Sequence, residues 1–173
     1  MTKEILWLSA FEGSNPFPRI MAHVRLEKIY AQPNDCSCGP ASLKTLLEYE
    51  GGKKIELSIR RLEKMAGTKK KVGTRSIRLR RIAAKLGFRI GFKVRSSLRD
   101  LEKSLKHGHP VLVGYIIPEN GIPHYSVVYG ITKKNVLIAS SEEGKPKIYC
   151  KKVFRKAWYA IKRPGVMITF EKK

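Results

Sequence analysis

The spacing of apolar residues in the first half of the chain predicts helices. Leu43, Leu46 and Leu47 recur at helical intervals behind Pro40, which suits a first helical turn, and Gly51 ends the run. The best-defined helix is therefore predicted from 39 to 50. The same reasoning predicts three more helices, over 58–66, 74–86 and 97–106.

In the second half of the chain, short apolar runs and alternating stretches predict strands instead. These strands lie at 88–94, 111–117, 125–129 and 135–139, with a last pair inside 147–170 around a short helix over 152–158. A loosely alternating stretch at 24–30 predicts one strand ahead of the helices. Because helices come first and strands afterwards, an α+β layout is expected, with an arm over 1–24 and a single domain over 25–173.

Composition narrows the class of protein. The chain has 173 residues and is 42% hydrophobic, which is enough for one globular domain. It carries 36 Lys and Arg against 14 Asp and Glu, a net charge of +22, so polyanions such as nucleic acid are candidate partners. The N-terminus lacks the pattern of a secretory signal, and the apolar run 110–118 is too short to span a bilayer. We therefore expect a cytoplasmic protein with no membrane span.

The three cysteines limit the possible covalent and metal chemistry. Cys36, Cys38 and Cys150 are an odd number in a chain without a signal sequence, which argues against a disulfide scaffold. A metal site that combines them with His124 is an alternative. It is disfavoured because the short Cys-x-Cys has no second ligand pair at zinc-site spacing, and no metal or cofactor is expected.

One cysteine and one histidine lie at positions suited to nucleophilic catalysis. Cys38 is predicted at the amino end of the first helix and His124 at the start of a strand. A thiol gains reactivity from a nearby imidazole and from a helix N-terminus, where unpaired N–H groups favour an anion. Gln32 could donate its side-chain amide to the oxyanion formed when Cys38 attacks a carbonyl, with the Cys38 backbone N–H as the second donor.

These motifs resemble a known family. Gln32 followed after five residues by Cys38 is similar to the oxyanion and nucleophile segment of papain-like peptidases. The stretches 39–43, 73–88 and 124–130 more closely resemble the double-glycine-leader peptidases that process bacteriocin precursors. The resemblance covers roughly 30–158. It implies a papain-like fold, with an N-terminal helical part packed on a C-terminal antiparallel sheet. It also implies a peptide or protein substrate that is cleaved by Cys38 and His124, with Gln32 in the oxyanion hole.

Two positions depart from the family pattern. The family has Asp before the nucleophile, whereas Ser37 stands there and the Asp-Cys pair falls two residues early, at Cys36. Cys38 is preferred because it alone keeps both the spacing from Gln32 and the following glycine. Ser140 occupies the place of the Asp that orients the histidine. A hydroxyl holds an imidazole N–H but stabilises imidazolium less than a carboxylate does. Two alternatives follow: Glu142 or Glu143 reaches back to the ring, or the site is slow or inactive.

The positive charge supports a second hypothesis of a different class. Basic residues are densest over 53–99, and Arg75, Arg78 and Arg81 are spaced to share one helical face. With Lys69, Lys70 and Lys71 they are the candidate nucleic-acid-binding residues. The alternative function is therefore a catalytically weak or inactive papain-like scaffold that binds RNA or a ribonucleoprotein. Because aromatic residues are few here, such binding would follow the backbone rather than the bases.

Overall fold

The computed structural model describes residues 20–51, 55–70 and 72–172. The helices of this part are α1 (Cys38–Gly51), α2 (Ile59–Ala66), α3 (Ser76–Lys85), α4 (Leu98–Lys106) and α5 (Lys151–Tyr159). The strands are β1 (Ile20–His23), β2 (Phe88–Lys93), β3 (Val111–Ile116), β4 (Pro123–Thr132), β5 (Asn135–Ser140), β6 (Lys145–Cys150) and β7 (Met167–Lys172). None of the described helices has the length and apolar character needed to cross a membrane.

The strands form one antiparallel sheet in the order β2-β7-β3-β4-β5-β6, and β1 pairs with the far end of β4. Helix α1 packs against β4 and β7, while α2 and α3 pack against α1. The predicted α+β fold, with its helical part on an antiparallel sheet, is therefore confirmed. The predicted helices and most predicted strands match the observed elements to within a few residues.

Two sets of hydrophobic contacts fix helices α1 and α5 relative to the sheet. Leu43, Leu46 and Leu47 of α1 are buried against the sheet, as their helical spacing predicts. In α5, the buried rings of Phe154 and Trp158 stack with their centroids 5.4 Å apart. These contacts place the start of α1 over β4 and hold the end of α5 near β3.

The loop that leads from α5 to β7 is tied to the segment after β2. Trp158 Nε1 donates to the carbonyl of Val166 at 2.8 Å, and the N–H of Ser96 donates to the carbonyl of Gly165 at 3.0 Å. Gly165 has φ +60°, and a Cβ there would come within 2.9 Å of the Ser96 nitrogen, so the position requires glycine. The loop is therefore held in a defined position beside the sheet.

The predicted first strand is wrong. Residues 24–30 are irregular, and the strand is β1, which pairs His23 with Gly130 and Ile20 with Thr132. The N–H of Val24 still donates to Tyr129 at 2.8 Å, after which the chain leaves the sheet edge. Residues 20–23, which the sequence analysis assigned to the arm, thus belong to the sheet, because their backbone groups have partners on β4. Residues 1–19 of that arm lie outside the described residues.

Candidate active site

Folding brings Cys38 and His124 to one cleft. Cys38 is the first residue of α1, and His124 is the second residue of β4. Both side chains line a cleft of about 1400 Å³. One wall consists of α2 and the 67–75 loop, and the other of the β3–β4 region and the 160–166 loop. The two side chains are therefore both accessible to a ligand that enters this cleft.

Cys38 is buried, with 7% of its surface exposed. Burial raises the pKa of its thiol, since a thiolate loses hydration there. Backbone hydrogen bonding from Tyr125, from Gly39 and from Cys38 itself lowers the pKa but does not cancel the effect of burial. The start of α1 and the strand that carries His124 thus both supply donors to the sulfur.

A network of side-chain hydrogen bonds fixes the loop before Cys38. The Oγ of Ser37 lies 2.7 Å from Asn34 Oδ1 and also contacts Glu63 Oε1 on α2. Asn34 Nδ2 donates to Glu63 at 3.0 Å, and the N–H of Cys36 donates to Asn34 Oδ1 at 3.0 Å. Ser37, which replaces the family's Asp, is therefore tied to a carboxylate from another helix. Sequence reasoning missed Glu63, because no spacing rule connects α2 with this loop.

The hydroxyl beside His124 belongs to Ser141. Ser141 Oγ lies 2.9 Å from His124 Nε2 and donates to the carbonyl of Tyr125 at 2.9 Å. Since a hydroxyl has one proton, Ser141 accepts from Nε2–H, which leaves Nδ1 as the unprotonated nitrogen. The placement of Ser140 as the orienting residue is wrong. Successive side chains of a strand point to opposite faces, and β5 ends at Ser140, so the next residue turns toward the ring.

The surroundings of His124 disfavour its charged form. Burial lowers the pKa of its imidazole to about 4, and the Lys147 ammonium contributes in the same direction. Lys147 itself forms an ion pair with Glu119 at 3.1 Å. Among the described residues, neither Glu142 nor Glu143 hydrogen-bonds the ring. At neutral pH the site therefore holds a neutral imidazole beside a neutral thiol.

Gln32 lies next to the residue that holds the imidazole. Its backbone N–H donates to the carbonyl of Ser141 at 2.6 Å. Its side-chain Oε1 is buried and has no hydrogen-bond partner among the described residues. Gln32 is not part of the cleft lining. Its unpaired atom is a hydrogen-bond acceptor, which an N–H or O–H donor would satisfy and an oxyanion would not.

The other cysteines are placed differently. All three are free; Cys36 is half-buried at the cleft, whereas Cys150 is exposed at the start of α5. In the described ranges, no group of three or more His, Cys, Asp or Glu side chains lies close enough together to hold a metal ion. The four residues of the alternative metal site, Cys36, Cys38, His124 and Cys150, therefore do not converge.

The predicted nucleic-acid-binding residues that the structure describes are on the surface. The exposed ones are Lys69, Lys70, Arg75, Arg78 and Arg81. Lys71 lies outside the described residues. Lys70 and Arg75 border the cleft, while Arg78 and Arg81 lie on α3 beyond it. The set is therefore divided between the cleft and the outer surface of α3.

The sequence matches the model of the peptidase C39 family over residues 27–173. The chain belongs to this family. A curated relative, the lactococcin-G-processing and transport ATP-binding protein LagD of Lactococcus lactis subsp. lactis, is 31% identical over 122 residues. That stretch is 69% of this chain and 16% of LagD, so the chain spans a small part of that protein. The resemblance to double-glycine-leader peptidases is confirmed at the level of the family.

Solved structures of C39 peptidases share the fold. The peptidase domain of ComA, a bifunctional ABC transporter of Streptococcus involved in quorum sensing, is 25% identical with a TM-score of 0.69, covering 84% of this chain and 98% of that domain. A C39-like peptidase from Bacillus anthracis is 19% identical with a TM-score of 0.70, covering 88% and 98%. A double-glycine-motif protease of an AMS/PCAT transporter, solved with its leader peptide, is 18% identical with a TM-score of 0.67, covering 92% and 100%. The last two show the fold alone.

Proposed function

We propose that this protein is a cysteine peptidase that cleaves leader peptides after a glycine pair. The observation that carries the proposal is the Ser141–His124 contact beside the Cys38 cleft. It leaves one imidazole nitrogen unprotonated in the cleft that Cys38 also lines. Support for the substrate class comes from the relative LagD, which is named for processing lactococcin G.

The reaction would proceed in two halves. His124 Nδ1 accepts the thiol proton while the Cys38 sulfur attacks the scissile carbonyl carbon, and the oxyanion is stabilised by the Gln32 amide and the Cys38 backbone N–H. Collapse breaks the C–N bond, and the imidazolium returns its proton to the leaving amine. Water then attacks the thioester with His124 again as base. The acyl group leaves as a carboxylic acid, and the thiol is restored.

The neutral resting pair has a kinetic consequence. Because the pKa of Cys38 is raised and that of His124 is lowered, the thiolate and imidazolium would form together only as the substrate is attacked. Ser141 holds the ring in the required tautomer but supplies no negative charge to the imidazolium. We therefore expect a slower peptidase than one with a carboxylate at that position.

Peptide cleavage and covalent trapping test this proposal. A panel of peptides with a central Gly-Gly step is incubated with the protein, and the products are identified by mass spectrometry. A peptide aldehyde ending in Gly-Gly should form a reversible hemithioacetal with Cys38. Both results should be retained in Cys150→Ala and lost in Cys38→Ala. The proposal would be wrong if Cys38→Ala still cleaved, or if the wild type neither cleaved any such peptide nor bound the aldehyde.

A second candidate function rests on the surface charge. Lys69, Arg78 and Arg81 are exposed outside the cleft lining, and the chain has a net charge of +22. Such a surface would bind RNA or a ribonucleoprotein through phosphate contacts, with or without catalysis. Its affinity for a generic single-stranded RNA should fall steeply as salt rises. A flat salt response, or no binding at low salt, would remove this candidate.

A further inference from the structure

The cleft that holds Cys38 and His124 has a strongly positive border. Six cationic side chains line it: Arg60, Lys64, Lys70, Arg75, Lys162 and Arg163. The lining carboxylates are Asp35 and Glu63, and Glu63 already accepts from Asn34 and contacts Ser37. None of the six cations forms an ion pair with another described residue. Their charge is therefore available to a ligand.

The 160–166 loop brings Lys162 and Arg163 to the cleft, and Arg163 lies near Arg80 of α3, which is outside the cleft lining. The guanidinium of Arg80 lies 3.9 Å from the centre of the Phe92 ring, and its Nε is buried without a partner among the described residues. Burial lowers the pKa of Arg80, and so does the nearby charge of Arg163. Cations held together in this way repel one another, and an anion bound among them would relieve the repulsion.

The same cleft also has an apolar side. Ile116, Ile122, Pro123 and Ile161 line it, and Ile122 is 53% exposed. An exposed residue of this size in a binding cleft indicates contact with apolar ligand groups. The aromatic rings of the described lining are those of Tyr115 and His124, which are buried, and Tyr125, which is half-buried, so nucleic-acid bases would find no exposed ring to stack on. A peptide therefore fits the cleft better than RNA.

We propose that the substrate is an acidic peptide, in which Asp or Glu side chains flank the apolar residues that enter the cleft. This inference rests on the proposed peptidase function and adds the charge class of its substrate. The carboxylates would pair with Lys162 and Arg163 on one wall and with the cations of α2 and the 67–75 loop on the other. The apolar side chains between them would contact Ile122 and Ile161.

The test compares two peptides that differ only in charge. Both have a central Gly-Gly step and the same apolar residues; one has glutamates at the flanking positions and the other has glutamines. Several partly exposed ion pairs together should give roughly a tenfold preference for the glutamate peptide in kcat/KM, and the preference should shrink at high salt. The double variant Lys162→Glu/Arg163→Glu should lose or invert the preference.

Arg155→Glu/Lys156→Glu is the matched control, because it changes the net charge equally on the exposed surface of α5, outside the cleft lining. This control variant should keep the preference for the glutamate peptide in kcat/KM. Equal rates for the two peptides, or equal loss in both double variants, would overturn the inference.

A binding measurement separates this inference from the proposed function. Cys38→Ala cannot cleave, so the affinities of the two peptides for it report recognition alone. If the wild type cleaves neither peptide and does not bind the aldehyde, the peptidase proposal fails, yet tighter binding of the glutamate peptide would still support an acidic ligand. Equal affinities would overturn the inference. Preferential binding of polyuridylate over the glutamate peptide, lost in Lys162→Glu/Arg163→Glu, would overturn it in favour of a nucleic acid.

Discussion

The surroundings of the Cys38 thiol and of the His124 imidazole differ in what they offer to the charged form of each group. Around the Cys38 sulfur, backbone hydrogen bonding from Tyr125 of β4 and from the start of α1 partly offsets the burial of the thiol. On the sheet side, His124 is held by the Ser141 hydroxyl, and the nearby cation Lys147 adds to the effect of burial. The fold thus offers donors to a thiolate, although burial still raises the pKa of the Cys38 thiol, whereas Ser141 offers no negative charge to the imidazolium.

This difference locates the weak step of the proposed reaction. A thiolate needs donors, and a helix N-terminus supplies them wherever a helix begins. An imidazolium needs a negative charge, which must come from a particular side chain at a particular position. In this chain that position carries Ser141. The variants below test each side of the site separately.

The largest effect should come from removing the sulfur. Cys38→Ala should lower kcat for a Gly-Gly peptide by at least about a thousandfold, because the covalent route disappears. Cys36→Ala is the control at the same cleft and should retain most activity, since Cys36 lies outside α1 and lacks its helix-end donors. Comparable losses in the two variants, measured by initial rates, would contradict the assignment of Cys38.

The next effect should come from the oxyanion donor. Gln32→Ala should lower kcat by about a hundredfold to a thousandfold with little change in KM, the usual result of losing one such donor. Gln32→Glu should lose as much, because a carboxylate accepts hydrogen bonds and repels an oxyanion. Steady-state kinetics on one peptide decide the question. A wild-type kcat in Gln32→Glu would show that the side chain donates nothing to the reaction.

The buried imidazole should also make stability depend on pH. The folded pKa of His124 is about 4 and its ordinary value is 6.5, so the unfolded chain takes up a proton in this range before the folded chain does. The stabilisation is complete above pH 6.5 and is lost as the pH falls toward 4, up to about 3 kcal/mol. Urea unfolding at several pH values measures it.

Two histidine variants isolate this contribution. His124→Gln should show a smaller fall in unfolding free energy between pH 6.5 and 4 than the wild type. His107→Gln, which changes an exposed histidine, should behave like the wild type. Identical pH dependences in wild type and His124→Gln would mean that the imidazole is not held in a neutral form.

The smallest effect should distinguish two neighbouring serines. Ser141→Ala should lower kcat by about tenfold, because the imidazole loses the group that selects its tautomer. Ser140→Ala should leave kcat near the wild-type value, since the Ser140 hydroxyl makes no hydrogen bond to the ring. The ranking of these two rates checks the corrected position directly; a larger loss in Ser140→Ala would restore the sequence-based assignment.

A carboxylate at the corrected position sharpens the same comparison. Ser141→Asp should raise the pKa of His124 above its value of about 4, because a negative charge stabilises the imidazolium. The acid limb of the pH–rate profile should move to higher pH, and NMR titration of the imidazole should report the same shift. If position 141 served packing alone, Ser141→Asp would change neither the pH–rate profile nor the NMR titration of His124.

Local patterns in the sequence were sufficient for most of the architecture. Helical spacing located α1, and Ser97 marked the start of α4, where its side chain and Asp100 form a capping box. The alternation of the second half located the strands. Cys38, His124 and Gln32 were found by spacing and by family resemblance. These features were predictable because a helix, a strand or a motif is specified by residues close together in the chain.

Only the tertiary structure decided the surroundings of the catalytic groups. Whether Ser140 or Ser141 meets the ring depends on where β5 ends and which way the chain turns. Glu63 reaches Ser37, and Lys147 approaches His124, from distant parts of the chain. Such contacts depend on the packing of whole elements, and no local pattern encodes them. The sequence by itself therefore determined the elements and the candidate reacting groups. Packing determined the charge environment of these groups, because electrostatic interactions depend on distances that exist only in the folded chain.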